Sequence, residues 1–174
     1  MIKKIENYEL RRKLKKGSYG TCYEAKDVND NKEVCVKEIE IENDDDIISI
    51  ENEISILEMM KSKHSVEVIN YFKKNNYYYI IMELCEGDLN YFLKKKNGNL
   101  DIITILKIVI QINEAFKLMK NNKIEHRDLK PENTLIKFKN EGKDFDIKLT
   151  DYGLAKYYEN SNSKFRNKLE LHII

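Results

Sequence analysis

The eight residues from 126 to 133 bring together several side chains that can take part in chemistry. His126, Arg127, Asp128, Lys130 and Asn133 all lie in this segment, and Asn133 follows Asp128 by five residues. A carboxylate can accept a proton, a lysine can neutralise an anion, and an amide oxygen can ligate a hard cation. His126 also invites interpretation as a general base. The segment is therefore a candidate site for proton transfer combined with charge neutralisation.

The stretch from His126 to Asn133, HRDLKPEN, resembles the catalytic loop H-R-D-L-x-x-x-N of eukaryotic-type protein kinases. Lys130 matches the serine/threonine version of this loop. The resemblance implies that Asp128 accepts or orients a substrate hydroxyl proton, that Lys130 steadies the γ-phosphate, and that Asn133 binds magnesium. It also implies that His126 packs rather than acts as a base. Arg127 resembles the arginine that senses a phosphorylated activation loop, although it could pair with a local carboxylate instead.

Two further motifs extend the resemblance. The tripeptide D-Y-G at Asp151 lies 23 residues after the aspartate of the loop and resembles the D-F-G magnesium site, with tyrosine replacing phenylalanine. The resemblance implies that Asp151 binds magnesium. Lys37 ends the run VCVK, which is similar to the V-A-I-K strand whose lysine holds the α- and β-phosphates. Glu53, 16 residues later, matches the glutamate that pairs with this lysine, and Glu51 is its rival.

The expected nucleotide pocket combines a turn, strands and a hinge. The stretch ending at Cys22 resembles the glycine-rich loop G-x-G-x-x-G-x-V, with Lys15 at the first glycine and Cys22 at the valine. The stretch MELC from Met82 resembles the hinge, with Met82 as gatekeeper. The resemblance implies ATP and Mg²⁺ as cofactors. The expected nucleotide-binding residues are Gly17, Ser18, Gly20, Cys22, Cys35, Lys37, Met82, Glu83, Cys85 and Leu135.

The elements that must position these residues follow from hydrophobic periodicity. Alternation and β-branched runs predict five strands in the first half, at Tyr8–Leu14, Thr21–Ala25, Val34–Ile39, Val66–Phe72 and Tyr77–Leu84. Apolar residues that recur three and four positions apart predict one helix before residue 62, from Ile47 to Lys61. The acidic stretch Glu42–Asp46 just before it is interpreted as a solvated loop and cap rather than a metal cluster.

Helical patterns dominate after Gly87. Asp88 can cap a short helix, and a longer helix is predicted from Ile102 to Asn121. The apolar stripe of the longer helix consists of Ile105, Ile108, Val109, Ile112, Phe116 and Met119. Two strand-like runs then span Thr134–Phe138 and Phe145–Leu149. The resemblance implies an α+β two-lobe fold: a five-stranded small lobe with one helix (1–83), a hinge (84–87) and an incomplete, mostly helical large lobe (88–174).

The resemblance stops near Lys156, because the segment Tyr157–Ile174 has no A-P-E-like stretch. We expect a C-terminally truncated kinase domain whose long helix leaves its apolar stripe exposed. Ser161 and Ser163 are either activation-loop phosphosites or simple loop residues. Three hypotheses stay open: a protein serine/threonine kinase, a catalytically impaired module for nucleotide binding or scaffolding, and an incomplete gene product.

The net charge, the apolar segments and the cysteines of the chain restrict which classes of partner and which compartment we expect. A net charge of +1 offers no whole-chain field for nucleic acid or membrane, and no signal-like or membrane-spanning segment is found in the sequence. Three widely separated cysteines without a C-x-x-C pair favour a reducing compartment. We therefore expect an intracellular protein, cytoplasmic or nuclear, that acts on a protein substrate. Whether a separate activator or completing chain exists is left open.

Overall fold

The structure is a computed structural model that describes residues 3–17 and 20–158. Its strands are β1 (Lys4–Ile5), β2 (Tyr8–Gly17), β3 (Gly20–Asp27), β4 (Glu33–Glu40), β5 (Val68–Lys74), β6 (Tyr77–Glu83), β7 (Gly87–Asp88), β8 (Ile124–Glu125), β9 (Thr134–Lys139), β10 (Asp144–Leu149) and β11 (Lys156–Tyr157). The α-helices are α1 (Asp44–Met59), α2 (Leu89–Lys95) and α3 (Ile102–Asn121). Two 3₁₀ turns span Pro131–Asn133 and Asn140–Gly142.

The first lobe is an antiparallel sheet with the strand order β1-β2-β3-β4-β6-β5. The five predicted strands are confirmed, and the two-residue β1 adds a short edge strand that periodicity alone does not reveal. Side chains of β4 and β6 alternate between two cores. Val36 and Ile81 enter the core on one face, while Ile39 and Ile80 enter the core on the other face together with Ile54 of α1.

Helix α1 begins with a capping box. The side chain of Asn43 accepts a hydrogen bond from Asp46 N, and the Asp46 carboxylate accepts one from Asn43 N. The three aspartates of the first turn favourably face the positive end of the helix dipole. The acidic stretch is thus a helix start, as interpreted from the sequence, although the cap is Asn43 and the helix begins three residues earlier than Ile47.

The second lobe packs α2 and α3 against a three-stranded sheet of order β10-β9-β7. Phe92 of α2 and Ile108 of α3 share a core with Ile136, Phe145 and Ile147 of that sheet. A small β8–β11 pair lies beside it. Together the two lobes form the expected α+β fold. Within residues 3–17 and 20–158, no helix combines the length and apolarity needed to cross a bilayer.

The buried face of α3 differs from the predicted stripe. Ile108 and Met119 are buried, but Ile105, Val109 and Phe116 are 41%, 56% and 41% exposed. The reason is a polar contact that an apolar pattern cannot reveal. The Gln111 amide accepts a hydrogen bond from Ile147 N at 2.9 Å and donates one to Phe145 O at 3.3 Å, which turns this face toward β10.

The expected exposure of the apolar stripe of α3 is met only in part, because Ile105, Val109 and Phe116 are exposed whereas Ile108 and Met119 are buried. Seven apolar side chains of α3 are more than 40% exposed: Ile102, Ile103, Ile105, Leu106, Val109, Ile110 and Phe116. Single exposed apolar residues are ordinary, but a contiguous set on one helix is typical of a surface that another element or molecule covers.

Candidate functional site

Lys37 and Glu53 form a buried ion pair between the sheet and α1. Lys37 Nζ lies 2.7 Å from Glu53 Oε1 and 2.9 Å from Oε2, and both residues are less than 10% exposed. Burial disfavours the ammonium form, but the charges of Glu53 and Asp151 outweigh burial and raise the pKa of Lys37. Glu51 is exposed on the other side of α1. The apolar register of the helix therefore selects Glu53 correctly.

Asp151 joins this pair from the other lobe. Its Oδ1 lies 3.5 Å from Lys37 Nζ, so one ammonium faces two carboxylates. Asp151 lies two residues after the end of β10 and has φ 66, a left-handed conformation that costs a non-glycine residue about 1–3 kcal/mol. Such strain persists only when the surroundings impose it.

Asp128, Lys130 and Asn133 form a second cluster. Lys130 Nζ donates to Asp128 Oδ2 at 2.7 Å, and Asn133 Nδ2 donates to Asp128 Oδ2 at 2.9 Å and to its backbone O at 3.0 Å. The bond from Lys130 lowers the pKa of Asp128, so this carboxylate is ionised at neutral pH. Because the amide nitrogen of buried Asn133 donates both bonds, its Oδ1 is the atom left for another partner.

Thr150 links the two clusters. Thr150 N donates to Asn133 O at 3.1 Å, and His126 Nε2 donates to Thr150 O at 3.1 Å. These bonds place Asp151 beside the loop that carries Asp128. All six residues expected for catalysis and metal binding thus lie in two clusters that Thr150 joins: Lys37, Glu53 and Asp151 in one, and Asp128, Lys130 and Asn133 in the other.

The buried rings of His126 and Tyr152 pack against each other beside the two clusters. Their ring centroids are 4.6 Å apart, and both side chains are buried. Burial lowers the pKa of His126, which favours the neutral ring and agrees with the packing role expected from the sequence. Burial also raises the pKa of Tyr152 to about 12. Within the described residues the buried Tyr152 hydroxyl lies near the Ser65 hydroxyl but makes no hydrogen bond of ordinary geometry.

Gly17 and Gly20 face each other at the turn between β2 and β3. Gly20 has φ 124, and a Cβ there would lie 2.4 Å from Glu38 O, so only glycine fits. Lys15, at the first glycine position of the motif, is an exposed residue of β2 opposite Cys22. Ser18 lies outside the described residues, as do Ser161 and Ser163.

Several of the expected nucleotide-binding residues share one hydrophobic core. Cys35, Cys85 and Leu135 are partly buried and pack against the core that contains Met82. Cys22 lies opposite Lys37 in the β3–β4 ladder, and Cys35 opposite Met82 in the β4–β6 ladder. We call these residues the apolar wall: Met82, Cys22, Cys35, Cys85 and Leu135. The wall is adjacent to the charged cluster, because Cys22 is paired with Lys37 in the ladder.

One polar contact at the hinge is not foreseen from the sequence. Lys148 of β10 is buried and lies 2.5 Å from Glu83 Oε1, and it donates to Ser65 O at 3.4 Å. The bridge connects the strand before Asp151 with the end of β6. The available signal is a lysine between the buried residues Ile147 and Leu149, which breaks the apolar run of β10.

Arg127 lies beside the second cluster with φ 67. It lines a cavity of about 590 Å³ between α1 and the segment after Asp151. Ser49, Asn52, Gly153 and Lys156 also line this cavity. The location is compatible with either interpretation of Arg127 made from the sequence.

Comparison with known proteins agrees with this geometry. The family description "Protein kinase domain" matches residues 8–170. The chain is 32% identical over 154 residues to "Cyclin-dependent kinase-like 1" of Caenorhabditis elegans, covering 87% of this chain and 42% of that protein. It is 31% identical over 170 residues to "Calcium-dependent protein kinase 4" of Plasmodium berghei (strain Anka), covering 94% of this chain and 31% of that protein.

The chain thus spans less than half the length of these two curated relatives. The family match, in contrast, covers nearly all of its residues, from the first long strand to beyond the D-Y-G motif. This chain belongs to the protein kinase family.

Proposed function

We propose that the chain binds ATP with Mg²⁺ and transfers the γ-phosphoryl group to a serine or threonine hydroxyl of a protein substrate. The observation that carries the proposal is the meeting of two clusters, Lys37–Glu53–Asp151 and Asp128–Lys130–Asn133, across Thr150. Phosphoryl transfer needs little covalent work from the protein. It needs positioned oxygens and positive charge around a triphosphate.

In the proposed function the Lys37 ammonium binds the phosphates of ATP. The bidentate contact with Glu53 holds it at the end of the apolar wall, and burial strengthens its interaction with an anion. Asp151 at 3.5 Å balances part of this charge. A triphosphate with its cation fits this arrangement, since the ligand brings both signs of charge.

Asn133 and Asp151 fit the metal. A carboxylate and an amide oxygen are hard ligands that suit Mg²⁺. In the part of the chain that the structure describes, no group of three or more His, Cys, Asp or Glu side chains could hold a metal. A cation that keeps water and phosphate oxygens in its shell, as Mg²⁺ does, matches this sparse set. When bound, it would supply charge neutralisation for the phosphates.

Asp128 is the residue that orients the alcohol. Its ionised carboxylate can accept the hydrogen bond of a substrate hydroxyl and hold its proton at Oδ as the O–H bond weakens. Lys130, which contacts the same oxygen, carries the positive charge that faces the transferring group. The serine/threonine preference is supported by Lys130 at its position in the loop.

A second candidate function is a nucleotide-binding or scaffold module without transfer. The contiguous exposed apolar face of α3 favours it, because such faces are typical of interaction surfaces. Under this hypothesis ATP raises the melting temperature of the chain, but no phosphate reaches a protein substrate.

The test is transfer of labelled γ-phosphate to a generic protein substrate by the wild type and Asp128→Asn. We expect transfer by the wild type and a loss of at least about 100-fold in the variant. Thermal stabilisation by ATP and Mg²⁺ should persist in both proteins. Stabilisation without transfer in the wild type would favour the scaffold. Equal transfer by the two proteins would remove Asp128 from its assigned role.

A further inference from the structure

Lys15 of β2 belongs to a row of three residues that crosses the sheet to Lys37. In the β2–β3 ladder Lys15 lies directly opposite Cys22, and in the β3–β4 ladder Cys22 lies directly opposite Lys37. Directly opposite residues of neighbouring antiparallel strands point to the same face of a sheet. Lys15 therefore shares its face with Lys37, two strand spacings or about 10 Å away along the row.

The face that carries this row is the face of the candidate site. Ile39 follows Lys37 by two residues in β4, so it points the same way, and it packs in the core between the sheet and α1. Lys16 belongs to the opposite face. It is paired with Thr21, which is paired with Glu38, the residue between Lys37 and Ile39. Neighbouring lysines of β2 thus serve different faces of the sheet.

The space beside Lys15 is open. Gly17 lies two residues further along β2, on the same face as Lys15. Apart from its chain neighbours, the nearest described atom to a Cβ added at Gly17 would be Gly20 O, at 4.0 Å. Lys15 itself is exposed. A ligand that lies over Gly17 can therefore be contacted by the Lys15 ammonium.

The two clusters of the candidate site carry an excess of negative charge. Lys37 faces the carboxylates of Glu53 and Asp151. Lys130 is paired with Asp128. Two ammonium groups thus face three carboxylates, and this balance is unfavourable for a polyanion such as a triphosphate. A further cation on the same face of the sheet would offset the excess.

Lys15 has no counter-charge of its own. Within residues 3–17 and 20–158, no carboxylate oxygen lies within ion-pair distance of its ammonium. Arg11 and Arg12, nearer the start of β2, do have such partners in Glu33 and Glu24. An exposed ammonium without a partner gives up no existing ion pair when it binds an anion. Lys15 is therefore available to a negatively charged ligand.

We propose that Lys15 is a second phosphate-binding residue, which contacts the triphosphate of ATP beside the turn between β2 and β3. This inference rests on the proposed function, because it takes ATP to bind at Lys37. The observations that carry it are the row from Lys15 to Lys37, the open space at Gly17 and the absence of a counter-charge among the described residues. The lysine replaces the first glycine of the motif, so the resemblance does not assign it this role.

The experiment is calorimetric titration of the full chain with ATP and Mg²⁺, and separately with adenosine, which has no phosphate. Lys15→Met should weaken ATP binding about fivefold to tenfold, because a charge-assisted contact is lost, and should leave adenosine binding within about twofold of the wild type. The loss should shrink at high ionic strength, since salt screens an exposed charge.

Three further variants separate charge from structure. Lys15→Arg keeps the cation and should bind ATP within about twofold of the wild type. Lys15→Gly restores the glycine of the motif and should weaken ATP binding as Lys15→Met does. The matched control Lys16→Met removes a neighbouring lysine from the opposite face and should leave both affinities unchanged.

Three results would overturn the proposal. Unchanged ATP affinity in Lys15→Met would show that the ammonium makes no contact with the phosphates. Stronger ATP binding by Lys15→Gly would show that the side chain obstructs the ligand. Equal losses in Lys15→Met and Lys16→Met would show that general charge attraction, not a contact, is responsible.

The same titrations separate this inference from the proposed function. If the folded wild type binds no ATP, the proposed function is refuted and the role of Lys15 with it. If the wild type binds ATP and Lys15→Met binds it equally well, only the role of Lys15 is refuted.

Discussion

The Lys37 ammonium contacts both carboxylate oxygens of Glu53, at 2.7 and 2.9 Å, in an environment nearly closed to water. Charges that leave water lose hydration, so each partner depends on the other for compensation. The pair also fixes α1 against β4, because the two residues lie on different elements. The geometry of this ion pair therefore affects both the stability of the first lobe and the position of the Lys37 ammonium in the candidate site.

Replacing Glu53 by glutamine should reduce the free energy of unfolding by about 3–5 kcal/mol, because the buried ammonium loses its main counter-charge. Urea unfolding monitored by circular dichroism measures this loss. The matched control is Glu51→Gln, an exposed carboxylate on the same helix, which should change stability by less than about 0.5 kcal/mol. Equal effects of the two substitutions would contradict the assignment of Glu53.

The Lys130–Asp128 contact predicts a pH effect. Removing the cation in Lys130→Met should move the titration midpoint of the Asp128 carboxyl to higher pH, since the hydrogen bond from Lys130 is the main cause of its lowered pKa. The folded-state pKa is depressed, so the stabilising contribution is present above the unfolded value of about 3.9 and is lost as pH falls through the folded pKa.

Carboxyl ¹³C NMR on the wild type and on Lys130→Met measures this midpoint. Lys120→Met serves as a control, because its lysine is exposed in the last turn of α3 and is not among the causes of the lowered Asp128 pKa. An unchanged Asp128 midpoint in Lys130→Met would show that the 2.7 Å contact does not govern the carboxylate.

His126 predicts a second pH effect, of stability. Burial lowers the folded-state pKa of His126, so the folded protein binds its proton less readily than the unfolded chain. Stability is therefore lost as pH falls below the unfolded value of about 6.5. We expect the urea midpoint of the wild type to fall more between pH 7.5 and pH 5.5 than that of His126→Phe. The same fall in both proteins would mean that His126 makes no contribution.

Gln111 should be a major stabilising residue of the second lobe. In Gln111→Leu, Ile147 N and Phe145 O lose their side-chain partner in a buried interface, and the expected cost is about 2–4 kcal/mol. Urea unfolding is the measurement, and Asn113→Leu on the exposed side of the helix is the control. A cost below about 1 kcal/mol for Gln111→Leu would show that apolar contacts alone hold α3 in place.

Local patterns were sufficient for much of the fold and of the candidate site. Strand alternation around Lys37 and the helical register of Glu53 placed both residues correctly, because each depends on its own element. The contacts that were missed join distant segments. The contacts of Gln111 with β10 and of Lys148 with Glu83 depend on how elements pack, which no single segment encodes.

The shared site for ATP and Mg²⁺ is tested most directly by calorimetric titration of ATP into the wild type and Asp151→Asn, with and without Mg²⁺. In the wild type we expect Mg²⁺ to raise ATP affinity at least about tenfold, and in Asp151→Asn we expect the metal to have little effect, because a neutral amide is a weaker ligand. Equal dependence on Mg²⁺ in both proteins, or no ATP binding by the folded wild type, would contradict the account.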